Sequence, residues 1–167
     1  MSEKITAEEM EKQLAEIVIE KKTACEAAAA ALDKDAKTEK KALMVQNGMY
    51  SFCLNAGLLY HKLGERANAI KVKSTRMERF LAGRPAQLAM FREADEEEKL
   101  RITACFYPTL FFEDQVLPQY RGEYDRAAES GSTGAVFEMN IKIGTVTEVL
   151  DAWKAWRLEN GYGMLDA

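Results

Sequence analysis

The stretch VFEMNIKIG at residues 136–144, running on into TVTEVLDAWKAWRLENG at 145–161, decides what kind of fold this chain takes. In its first part Phe137, Met139, Ile141 and Ile143 alternate with Glu138, Asn140 and Lys142. Successive side chains of a strand point to opposite faces, so this alternation predicts a half-buried strand over about 136–143. Gly144 ends it. Thr145, with Glu148 three residues on, has the form of a capping box. That predicts a final helix over about 146–159, carrying Val149, Leu150, Trp153, Trp156 and Leu158 and closed by Asn160-Gly161. A lone strand is not stable, so its expected partner is the 102–112 segment or another subunit.

Upstream, the span 114–134 holds Pro118, Gly122 and Gly131-Ser132-Thr133-Gly134 and predicts a long loop with a short helix in it. Residues 102–112 are rich in aromatics and β-formers around Pro108. Before them the signals are helical. Thr6 with Glu9 is a capping box that opens a helix over about 6–32. Further helices are expected over about 37–62, ended by Gly64, over 66–82, ended by Gly83-Arg84-Pro85, and over 86–100, with Pro85 at its first position. The expected fold is mainly α: a bundle of four to five helices with a small β element near the C-terminus. It divides into a helical region, 1–100, and a mixed region, 101–167.

The 167 residues, 47% hydrophobic and 30% charged, suffice for one domain with a real core. A formal net charge of −4 makes nucleic acid an unlikely main partner. No apolar run is long enough to span a bilayer, and the N-terminus lacks a secretory or transit pattern. Cys25, Cys53 and Cys105 are isolated and odd in number, which fits a reducing compartment. The expected location is therefore the cytoplasm, or the interior of an assembled particle.

No catalytic residue, cofactor or metal ligand is expected. His61 is the only histidine. Cys53 lies eight residues earlier on the same expected helix, about 12 Å away by helical rise, too far for a hydrogen-bonded dyad. Carboxylate pairs such as Glu8-Glu9 read as solvated faces. No Glu-x-x-His, phosphate loop, calcium loop or nucleophile elbow occurs.

Gly57, Tyr60, Gly64 and Ala69 have the spacing of a close approach, an aromatic filler, a turn and a crossing-point alanine. On these residues the segment 53–70 resembles a single tetratricopeptide-type helical hairpin. Cys53, Ala56, Lys73 and Leu81 stand where that repeat has other residue types. The resemblance implies protein–protein binding and carries over no particular contact residue.

Two further groups suggest a surface. The third expected helix is basic, with Lys62, Arg66, Lys71, Lys73, Arg76 and Arg79, and Arg84 follows it. Such a face suits an acidic partner, phosphates or the acidic 93–98 segment of this or another chain, or is an ordinary solvated helix face. Phe106, Tyr107, Phe111 and Phe112 form a dense aromatic run that suits either a core or an interface, and Trp153 and Trp156, open to the same two readings, share one helix face. The candidate partner-binding residues are Phe106, Tyr107, Phe111, Phe112, Trp153, Trp156, Lys71, Arg76 and Arg79. The expected function is a non-enzymatic protein-binding or assembly subunit with protein partners or copies of itself. Two alternatives are a structural component of a large particle, such as a phage virion, and a small enzyme built on His61, a cysteine and acids.

Overall fold

Thr6 opens the first helix by accepting a hydrogen bond from the Glu9 backbone N–H at 3.1 Å. A computed structural model of the chain describes residues 5–57 and 75–163. Helix α1 (Ala7–Ala30) buries Met10, Leu14, Val18 and Cys25, spaced four, four and seven apart, which keeps one stripe facing inward. Helix α2 (Lys37–Gly57) packs beside it through Met49, Tyr50 and Cys53. Residues 75–81 are helical, and α3 (Pro85–Glu93) follows with proline in its first turn.

The expected helix over 86–100 is two helices. Asp95 interrupts it by accepting a hydrogen bond from the Glu98 N–H at 2.8 Å, which starts α4 (Glu96–Phe111). The segment 102–112 is thus helical and not the partner of a strand. Its aromatic and branched residues are recruited by burial: Ile102, Cys105, Phe106 and Leu110 all face the core at helical spacing. Packing overrides a weak local β preference.

The expected loop over 114–134 is also helical. A five-residue π turn (Phe112–Val116) leads into α5 (Leu117–Ser130). Within the turn the Leu117 N–H reaches back five residues to the Phe112 carbonyl. Pro118 has no N–H to offer the Asp114 carbonyl, and in a regular α-helix its ring would press on that group; a wider turn relieves the clash. Residues at both junctions keep right-handed helical angles, so α4, the π turn and α5 form one helical path from 96 to 130. Gly131, at φ 75°, ends it in the left-handed conformation that glycine adopts without strain.

The expected strand over 136–143 lies inside α6 (Thr133–Glu159). Ser132 caps this helix from the Ala135 N–H at 3.2 Å. Thr145 is not a cap but sits mid-helix, where its hydroxyl donates to the Ile141 carbonyl at 2.7 Å, and Thr147 does the same to Ile143 at 2.8 Å. Among the described residues there is no strand.

Two core clusters result. The first joins α1, α2, the π turn, α5 and α6 around Leu14, Val18, Cys53, Phe112, Val146 and Trp153. The second joins the start of α1, residues 75–81, α3 and α4 around Met10, Met77, Leu81, Phe91, Cys105 and Leu110. Trp156 packs against both. Among the described residues no helix is long and apolar enough to cross a membrane.

Candidate partner-docking face

Met77 and Leu81 lie four apart on the 75–81 helix and are fully buried in the second cluster. Anchoring through them fixes the rest of the turn against α4. Arg76 and Arg79 then line a hollow of about 280 Å³ together with Tyr107, Phe111, Asp114 and Gln115. The Arg76 guanidinium pairs with the Asp114 carboxylate. Arg79 is exposed. Tyr107 and Phe111, one helical turn apart, stack with centroids 6.5 Å apart and planes at 26°.

The aromatic floor of the hollow is continuous with the core. Phe111 meets Phe112 edge-on at 5.7 Å, and Phe112 meets Trp153 at 6.0 Å. Such contacts hold rings in fixed orientations and add stabilisation beyond area alone. The hollow therefore rests on fully buried core residues.

A second hollow, of about 240 Å³, lies on the neighbouring face of α4. Phe80, Arg84, Phe106, Thr109, Leu110, Glu113 and Arg157 line it. The Arg84 guanidinium lies over the Phe80 ring at 5.3 Å, and that of Arg157 over the Phe106 ring at 4.6 Å. Arg157, only 2% exposed, also donates a hydrogen bond to the Thr109 hydroxyl at 3.0 Å. Both hollows fall below the roughly 300–1,000 Å³ usual for a small-molecule or cofactor site. They are of a size to take single side chains.

The candidate residues separate by burial. Arg76, Arg79, Tyr107 and Phe111 come together at the first hollow. Phe106 is buried beneath Arg157, and Phe112 and Trp153 belong to the first core cluster. Trp156 is half-buried; its indole N–H donates to Gln13 at 3.0 Å and its ring stacks on Tyr162 at 6.4 Å. It borders a groove between α1 and α6 that is lined also by Ile17, Lys21, Ala24, Ala152 and Ala155. Lys71 and His61 lie outside the described residues, as do 58–70 of the hairpin resemblance and Lys62, Arg66 and Lys73 of the basic run. Asp114, Gln115, Glu113 and Arg157 were not among the candidates. Helical spacing from Tyr107 through Phe111 to Asp114 and Gln115 is the signal that finds the first two once 102–116 is read as helix.

The three cysteines lie inside the molecule. Cys25, Cys53 and Cys105 are buried and form no disulfide. Burial pushes the Cys53 thiol up to about 12, and burial, aided by Glu26, raises Cys25, so both are neutral thiols at physiological pH. Cys25 donates to the Leu43 carbonyl at 3.2 Å. Among the described residues no group of three or more His, Cys, Asp or Glu could hold a metal ion. No family model, curated protein or solved structure matches the chain.

Proposed function

We propose that this chain is a non-enzymatic protein-binding subunit, and that it docks its partner along the edge where residues 75–84 meet α4 and the π turn. One observation carries this. A stacked Tyr–Phe pair and two arginines from a distant part of the chain converge on one side-chain-sized hollow whose floor is continuous with the core. Tyrosine and arginine are the residue types that most often dominate binding energy when a partner side chain seats among them. The π turn supports the same location, since such turns recur at functional sites. Three buried cysteines outside any disulfide suit a protein working in a reducing, intracellular compartment.

The test is capture by the tagged full chain from extracts of its source cells, compared with Tyr107→Ala and Phe111→Ala, with folding checked by thermal denaturation. Quantitative mass spectrometry is expected to give a discrete set of co-purifying proteins that both variants lose. Capture that is unchanged by either substitution, or no specific capture by the unaltered chain, contradicts the proposal.

A further inference from the structure

We infer that the groove between α1 and α6 seats a basic amphipathic helix of a partner protein, its apolar face against Ile17 and Trp156 and its cations toward Glu20 and Glu159. The groove shares no lining residue with the docking face above, so the inference goes beyond that reading and does not depend on it.

Register is the first ground. The Trp156 indole N–H donates to Gln13 at 3.0 Å, and the Lys21 ammonium pairs with Glu148 at 3.1 Å. The two helices therefore run antiparallel, with 13 level with 156 and 21 level with 148. The groove they line has a volume of about 490 Å³. On this register Trp156, Ala155, Ile17 and Ala152 fall between Glu159 and Glu20, which stand about 15 Å apart along the axis by helical rise.

Charge is the second. Lys21 is the cation in the lining, and Glu148 already engages it. Glu20 and Glu159 are exposed, and among the described residues neither has an ion-pair or hydrogen-bond partner. The groove thus carries an uncompensated carboxylate on either side of its apolar middle, in a chain whose formal net charge is −4. Complementary charge is what selects and orients a partner, and here it is positive. The same carboxylates repel a nucleic acid or an anionic lipid surface.

The walls are the third. The backbone groups of α1 and α6 are spent within each helix, so an extended peptide would find no main-chain partner in the groove. A helix brings its own hydrogen bonds, and Ala152 and Ala155 let its backbone come close. Trp156 is already oriented by Gln13 and by stacking on Tyr162 at 6.4 Å, which suits it to act as an anchor. A span of about 15 Å is about ten residues of helix, and this sets the spacing of the partner's two cations.

The experiment is selection of a phage-displayed random twenty-residue peptide library on the immobilised full chain, followed by circular dichroism and binding measurements on synthetic versions of the enriched peptides. Enriched sequences are expected to carry Lys or Arg about ten residues apart, with large apolar residues at helical spacing between them, and to become helical when bound. Their affinity should fall about tenfold or more in the double variant Glu20→Lys, Glu159→Lys, as expected when charges of an interface are reversed. It should fall likewise in Ala155→Trp, which fills the groove from an exposed position, weaken as salt is raised, and stay unchanged in Tyr107→Ala. Thermal denaturation checks that the variants are folded. Enriched peptides without basic residues, basic peptides indifferent to the charge reversals or to Ala155→Trp, or no enrichment at all overturn the inference. Binding lost in Tyr107→Ala but kept in Ala155→Trp overturns it as well and leaves the Tyr107 face standing. Concentration-dependent dimerisation of the chain, seen by light scattering and abolished by Ala155→Trp, gives the groove to a second copy and also overturns it.

Discussion

Trp153 and Trp156 look equivalent in the sequence, three apart on one helix face, yet they do different work. Trp153 is fully buried, its indole N–H 3.4 Å from the Leu14 carbonyl and its ring 6.0 Å from that of Phe112. Trp153→Ala should cost about 3–5 kcal/mol, the range for emptying a large aromatic site, and Trp153→Phe clearly less. Urea unfolding midpoints check both. Cys53 gives a residue-level pH test. Its folded value is about 12 against an ordinary 9.0, so the native state holds the proton more tightly than the unfolded chain. Its contribution is intact below pH 9.0 and is lost as pH rises from there to about 12. Burial lifts Tyr162 from 10.0 to about 12, which adds to the loss over the upper part of that window. Stability should therefore decline with pH across this range, and less steeply in Cys53→Ala; an equal slope in both proteins contradicts the assignment. Which tryptophan is buried, and that Arg157 is buried at all, were not legible in the sequence. Both depend on Phe106, Thr109 and Phe112, residues of a segment whose own composition favours strands.

Helix α6 shows why one element was misread. Alternation at 137, 139, 141 and 143 also contains the pairs 137/141 and 139/143, four apart, so eight residues satisfy strand and helix alike. The deciding pattern is longer. Met139, Val146, Val149, Leu150, Trp153 and Arg157 are buried at helical spacing across the whole element. Thr145 and Thr147 spend their hydroxyls on carbonyls one turn back, which a β-like composition conceals. Carbon-13 Cα chemical shifts should therefore be helical without a break from 133 to 159, and extended values over 136–143 would contradict this. Removing the cap with Ser132→Ala should cost about 1 kcal/mol, measured by chemical denaturation. By contrast, the Thr6 cap and most of α1 were plain from sequence, because the cap and the buried stripe give the same answer there. The loop signals at 114–134 were real residues in other roles: Pro118 sits in the first turn of α5 and Gly131 closes it.

At the scale of the molecule, the path from α4 through the π turn to α5 belongs to both core clusters, and the docking face lies along it. Arg76, Arg79, Tyr107 and Phe111 were legible as residue types suited to binding. Their convergence was not, because it requires 102–116 to be helical and 75–81 to pack on it. The groove between α1 and α6 is a second site of the same kind, being larger at about 490 Å³ and lined by Ile17, Lys21 and Trp156 as well as by three alanines. Photo-crosslinking in the source cells separates the two directly, with p-benzoylphenylalanine placed at Tyr107 in one variant and at Ala24 in another. The account predicts a discrete adduct from position 107, lost when Phe111→Ala is added, and one from position 24 that this substitution leaves unchanged. Adducts from 24 alone, or from neither position, would contradict it.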